Sequence, residues 1–174
     1  MVEMKRFDGG GVLIDDRYSP ILITFFFGEV SLDCAMWHAN HHERLVQALA
    51  KKGLRAVTIT DATYTPPPAA EVRKFWGDWT KKLTPEVKAA TLMAATVLKS
   101  AVLRGILTAL SWLNSDLASV QVFDSIDGAI QAGRLALQND GQRNIPEVPR
   151  YQFPAGVQTF ANEWLEPGSS RTPS

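Results

Sequence analysis

The chain has 174 residues, 45% of them hydrophobic, which suits one domain with a proper core plus tails. Its 18 basic and 18 acidic residues cancel without forming a basic stripe, which argues against nucleic-acid binding through bulk charge. A lone cysteine, Cys34, excludes an internal disulfide and fits a reducing compartment, and no apolar run approaches the ~18 residues of a membrane span.

Residues 1–11, MVEMKRFDGGG, lack the apolar stretch and small-residue cleavage pattern of a signal peptide, so a cytoplasmic protein is expected. They read as a flexible polar lead. Their glycine triplet is not a phosphate loop, since no GK[ST] and no helix follow it. Residues 12–15 form a short strand candidate, DDRYSP turns the chain with Pro20 closing the turn, and residues 21–27, ILITFFF, give a second strand. Gly28 ends that strand. Ser31 is a good N-cap and Asp33 complements the helix dipole, so a helix is expected over 32–52, stopped by Gly53.

Residues 54–61, LRAVTITD, alternate as a strand should. Three prolines follow and cannot continue a strand. Pro68 can open an amphipathic helix over 68–83, with Val72, Phe75, Trp76 and Trp79 on its apolar face. Thr84-Pro85-Glu86 reads as a turn.

Residues 90–123 are the organising stretch, read as strand, helix and strand. The strand AATLMAATVL leads into a helix over 100–113, SAVLRGILTALSWL. At about 100° per residue, Ser100, Arg104, Thr108 and Ser111 share one narrow polar stripe. The rest is apolar, so this helix meets something on both sides: a neighbouring helix, a partner chain or a ligand. Residues 119–123, SVQVF, are the next strand. Asp124 or Ser125 caps a last helix over 126–138.

Residues 139–174 change character. Five prolines and the ending GSSRTPS mark a tail. Within it, Val157, Phe160, Ala161, Trp164 and Leu165 have the spacing of a short amphipathic helix, which either packs back on the domain or docks on a partner.

The resulting order is β-β-α-β-α-β-α-β-α, an α/β fold with a mostly parallel mixed sheet covered by helices. This order resembles a STAS domain, the fold of the bacterial anti-sigma-factor antagonist SpoIIAA, and still more the SpoIIAA-like (STAS-like) group of bacteria. The stretches that carry the resemblance are ILITFFFGEVS, LRAVTITDAT, ATVLKSAVLRGILTALSWL and VQVFDSIDGAIQA. It spans residues 12–138, with the lead 1–11 and the tail 139–174 outside it.

The resemblance implies a non-catalytic protein–protein interaction module used in signalling and partner switching. In phosphorylatable members a serine or threonine sits in a DS[ST]G-type motif. Here the region reads DATYTPPPAA, the motif is missing, and Thr63 and Thr65 are the nearest hydroxyls. A variant of the fold group resembles lipid-binding CRAL-TRIO domains, which keeps an apolar ligand open.

Several residues invite chemistry. His38 and His42 are one helical turn apart in MWHANHH, as two zinc ligands would be, but no third ligand stands out. Placing Leu45, Val46 and Leu49 inward puts His42 on the same face, His38 at its edge and His41 outside. Cys34 reads as a buried thiol; it would serve as a nucleophile only if His38 reached it. Asp61 ends a strand, where α/β sheets place ligand-binding groups, and could cluster with Asp15 and Asp16 around a cation or simply cap a turn. Ser100, Arg104 and Lys99 could cradle an anion at a helix start, or Ser100 could be a plain N-cap. The expected interface residues are Pro66, Pro67, Trp112, Phe160 and Trp164. No catalytic residue, metal ligand or cofactor is assigned. A protein partner is expected, with a second copy of the chain among the options. The alternative is a lipid-like or anionic small ligand.

Overall fold

The computed structural model describes residues 1–99 and 120–154. In chain order they form β1 (Val2–Phe7), β2 (Gly10–Asp15), β3 (Ile21–Gly28), α1 (Leu32–Ala50), β4 (Ala56–Tyr64), α2 (Ala70–Lys82), α3 (Pro85–Ala90), β5 (Thr91–Val97), β6 (Val120–Phe123) and α4 (Ile126–Asn139). The six strands make one sheet in the order β1-β2-β3-β4-β5-β6. The first three pair antiparallel, and β3 to β6 run parallel.

Every residue of β3 is buried, because helices cover both faces of the sheet at this strand. Alternation sends Ile21, Ile23, Phe25 and Phe27 to one face, where they meet Leu13, Val57, Ile59, Met93 and α4. Leu22, Thr24 and Phe26 point to the other face. There α1 packs against α2 and α3, with Val46, Leu49, Val87 and Ala90 in the core.

The cap signals work as expected. Ser31 accepts the Cys34 N–H at 3.2 Å, and Ser125 accepts the Gly128 N–H at 3.3 Å. Helix α4 lies so close to β4 that a Cβ at Gly133 would come within 2.6 Å of Val57 Cγ1. Only glycine permits that approach.

Three expectations need correction. Residues 1–11 are not a flexible lead: Val2–Phe7 is an edge strand paired along its whole length with β2. Its charged residues, Glu3, Lys5 and Arg6, hide the strand from a search for apolar runs, yet charge is what edge strands carry. Thr84-Pro85-Glu86 is not merely a turn. Thr84 accepts the Val87 N–H at 3.3 Å, Pro85 opens the short helix α3, and β5 therefore begins at Thr91. The described order is thus β-β-β-α-β-α-α-β, then β-α after the gap. The expected helix over 100–113 lies outside the described residues.

The third correction concerns the tail. Packing continues beyond residue 138: Val148 and Tyr151 are buried in the α4-side core, with Ile145 and Phe153 packed against them. These side chains cross the sheet face beside α4 as a strap. Proline content marked the segment as a tail, but its apolar residues recur often enough to cover the sheet.

Candidate functional site

Two places gather the residues of interest. The first is the C-terminal edge of the parallel strands. Asp61 is buried in β4, and its Oδ1 accepts the Thr63 N–H at 2.8 Å. Burial pushes the Asp61 carboxyl up, while the Thr63 hydrogen bonds and the charge of Lys99 pull it back. The capping reading of Asp61 is the one this geometry realises. Tyr64 stacks on Phe27 with centroids 5.9 Å apart, and Lys99 Nζ lies 5.2 Å from the Tyr64 ring centre. Phe153 joins Phe25 at 4.7 Å and Phe27 at 6.2 Å. The half-buried rings of Tyr64 and Phe153 therefore cover the buried Phe25 and Phe27 near the Asp61 carboxylate and the Lys99 ammonium.

Just past β4, the Thr65 hydroxyl donates to the Pro66 carbonyl at 3.0 Å, and Pro66 and Pro67 are exposed. Ser100, Arg104, Trp112, Phe160 and Trp164 lie outside the described residues, so the anion cradle and those interface positions stay expectations.

The expected cluster of Asp15, Asp16 and Asp61 does not form a cation site. Asp15 is held by Arg17 and Tyr151, Asp16 by the amino terminus, and Asp61 by Thr63. Among the described residues no three His, Cys, Asp or Glu side chains are placed to hold a metal ion. No described helix is long and apolar enough to cross a membrane.

The second place is the seam between α1 and α2. His38 is 4% exposed, more deeply buried than the edge position expected for it. Its Nε2 lies 3.3 Å from Thr24 Oγ1, which turns the imidazole toward β3. Cys34 is fully buried and its thiol is pushed up to about 12 by desolvation, so thiolate is scarce at neutral pH.

His41, expected outside, is shielded instead. It stacks on Trp37 at 4.9 Å, its Nε2 faces Glu3 Oε2 at 3.1 Å, and Arg44 donates to its Nδ1 at 2.6 Å. That arrangement assigns the proton to Nε2. The sequence could not reveal the Glu3 contact, because it depends on the pairing of β1 with β2, which brings Glu3 to α1.

No family model matches the chain, and neither does any curated protein. Solved structures do. An uncharacterized DUF3478-family protein with a SpoIIAA-like fold from Shewanella loihica PV-4 superposes with a TM-score of 0.51 at 10% identity, over 76% of this chain and 92% of that one. The chain has the SpoIIAA-like, STAS-like fold. An anti-sigma factor antagonist from Mycobacterium paratuberculosis also matches, at 15% identity and a TM-score of 0.39, over 77% of this chain and 93% of that one. The first likeness bears out the α/β class and the STAS-like resemblance. In this STAS-like fold the exposed Pro66 and Pro67 follow β4, the second strand of the parallel run, at the sheet edge where α/β folds present binding groups.

Proposed function

We propose that this STAS-like domain is a non-catalytic interaction module of bacterial signalling that binds a protein partner through the loop after β4. The observation that carries the reading is that, among the described residues, Cys34, His38 and Asp15, which could start covalent chemistry, are committed elsewhere. Cys34 is buried with a raised thiol, His38 is turned to Thr24, and Asp15 is saturated by Arg17 and Tyr151. What the domain offers outward is Pro66 and Pro67, whose fixed φ angles pre-order the loop and lower the entropy lost on docking. Phospho-switching fits less well here, because the Asp61 carboxylate beside Thr63 would repel a phosphate on that hydroxyl.

The simplest partner is a second copy. Light scattering on the full chain across a concentration series tests this. A mass that rises above the 19.2 kDa monomer, and returns to it in Pro66→Asp/Pro67→Asp, supports self-association through the loop. A mass that rises equally in the variant moves the interface elsewhere. A monomer throughout rejects self-association and transfers the reading to a different protein.

The half-buried rings of Tyr64 and Phe153 beside Lys99 favour one second reading, a small amphipathic anion. A fatty acid that raises the melting temperature of the full chain, with the rise lost in Lys99→Ala, would support it.

A further inference from the structure

The α1–α2 seam holds two imidazoles that the binding reading does not use: His38, buried, and His42, half-buried with its Nδ1 turned inward. His38 and His42 sit one turn apart on α1 with ring centroids 5.8 Å apart. Their walls are aromatic: Phe26 at 5.0 Å and Trp76 at 5.2 Å from His38, and Trp79 at 5.5 Å from His42. Both Nδ1 atoms are buried without a hydrogen-bond partner. A neutral imidazole has one N–H and one lone pair, so His38 already leaves one of these unmet once its Nε2 has met Thr24. A protonated ring would add a second N–H and a full charge to the same apolar slot.

The charges around the slot offer little relief. On α1, Cys34 is a neutral buried thiol one turn before His38, and His41 is engaged with Glu3 and Arg44. The Glu43 carboxylate accepts the Trp79 Nε1–H at 2.6 Å. Helix α2 faces the slot with Trp76 and Trp79, while its Lys74 and Asp78 pair with each other in solvent. Strand β3 contributes Thr24 and Phe26, neither of them ionisable. Val12 and Ile14 of β2 complete the cluster around Phe26.

Helix α2 is the element able to yield. Val72 is its one fully buried residue, and its first turn has no side-chain cap. We propose that His38 and His42 are a proton-sensitive latch: neutral, they keep α2 seated on α1; charged, they drive α2 off and uncover Phe26, Trp76 and Trp79. Burial pushes His42 down to about 4 and His38 well below its ordinary value, so the latch is closed at neutral pH. A folded value of about 4 for His42 against 6.5 once open favours opening by roughly 50-fold at pH 4.5 relative to pH 7.

Hydrogen exchange on the full chain, corrected for the intrinsic pH dependence of the rates, tests this. Protection across 70–82 should fall at least tenfold between pH 7 and pH 4.5 while protection across 126–139 holds. His42→Leu, which cannot titrate, should keep α2 protected at pH 4.5. Unchanged protection of 70–82 at pH 4.5 overturns the latch. So does an equal loss in 126–139, which would be global acid unfolding, or an unaltered response in a folded His42→Leu chain. Should that variant fail to fold, the contrast between the two segments in the natural chain decides.

Discussion

Tyr151 donates its hydroxyl to Asp15 Oδ2 at 2.9 Å, tying the strap after α4 to the end of β2 across the sheet. Asp15 is fully buried and also takes Arg17 through both carboxylate oxygens, at 2.9 Å and 2.7 Å. Arg17 reaches on to the Gln152 carbonyl at 3.2 Å. Burial and the Asp15 carboxylate push the Tyr151 phenol up, so the tyrosine keeps its proton and is the donor.

Tyr151→Phe leaves Asp15 its arginine but removes this bond, and should cost about 1–2 kcal/mol in urea unfolding with an unchanged m value. Asp15→Ala strands both Arg17 and Tyr151 and should cost more. Equal losses in the two variants would mean that the tyrosine bond, not the arginine pair, dominates the network.

Gly133→Ala sets two principles against each other. Alanine gains about 1 kcal/mol of helix propensity. Its methyl, however, would sit 2.6 Å from Val57 Cγ1, an atom on a stiff β-branched side chain. Overpacking should win, for a net loss of about 1–2 kcal/mol. The cause is checked by a double-mutant cycle: Gly133→Ala should cost less in a Val57→Ala background. Costs that simply add would rule out the contact as the source.

Cys34 should resist thiol reagents in the folded chain at pH 8, because the thiol is fully buried and shifted to about 12. Labelling should proceed at the rate of unfolding and become fast in denaturant. Rapid labelling of the native chain would place the sulfur at the surface, against the packing of α1 on Phe26.

The two imidazoles of the α1–α2 seam, His38 buried and His42 half-buried, set the sign of the pH dependence. The folded chain holds His42 at about 4 against an ordinary 6.5, so the unfolded state binds more protons between those values. Stability is then fully present above about pH 6.5 and falls as pH drops toward 4, by roughly 3 kcal/mol from His42 alone. His38 acts in the same direction. Urea midpoints measured from pH 7.5 to pH 4.5 should decline, and the decline should be shallower in His42→Leu. A flat profile would mean that the imidazoles reach water in the folded state.

The local signals were legible in the sequence because their causes are local. Ser31 and Ser125 cap the helices they precede, ILITFFF is the buried central strand, and Gly53 follows α1 with a left-handed φ of 70°. The order of apolar strands and helices was enough to reach the α/β class and the STAS-like likeness. Tertiary structure decided the rest. Val2–Phe7 becomes a strand only because β2 offers it an edge, and the apolar–charged alternation of Val2 to Lys5 is too short to announce that by itself. The strap depends on Tyr151 finding Asp15, 136 positions away in the chain. His38 and His42 have the helical spacing of a ligand pair, and only the packing of Trp76 and Trp79 against them buries the first and half-buries the second. Caps and periodicity are energies between near neighbours in sequence. Burial, and with it the charge state of an imidazole, is set by whatever the rest of the chain brings against it.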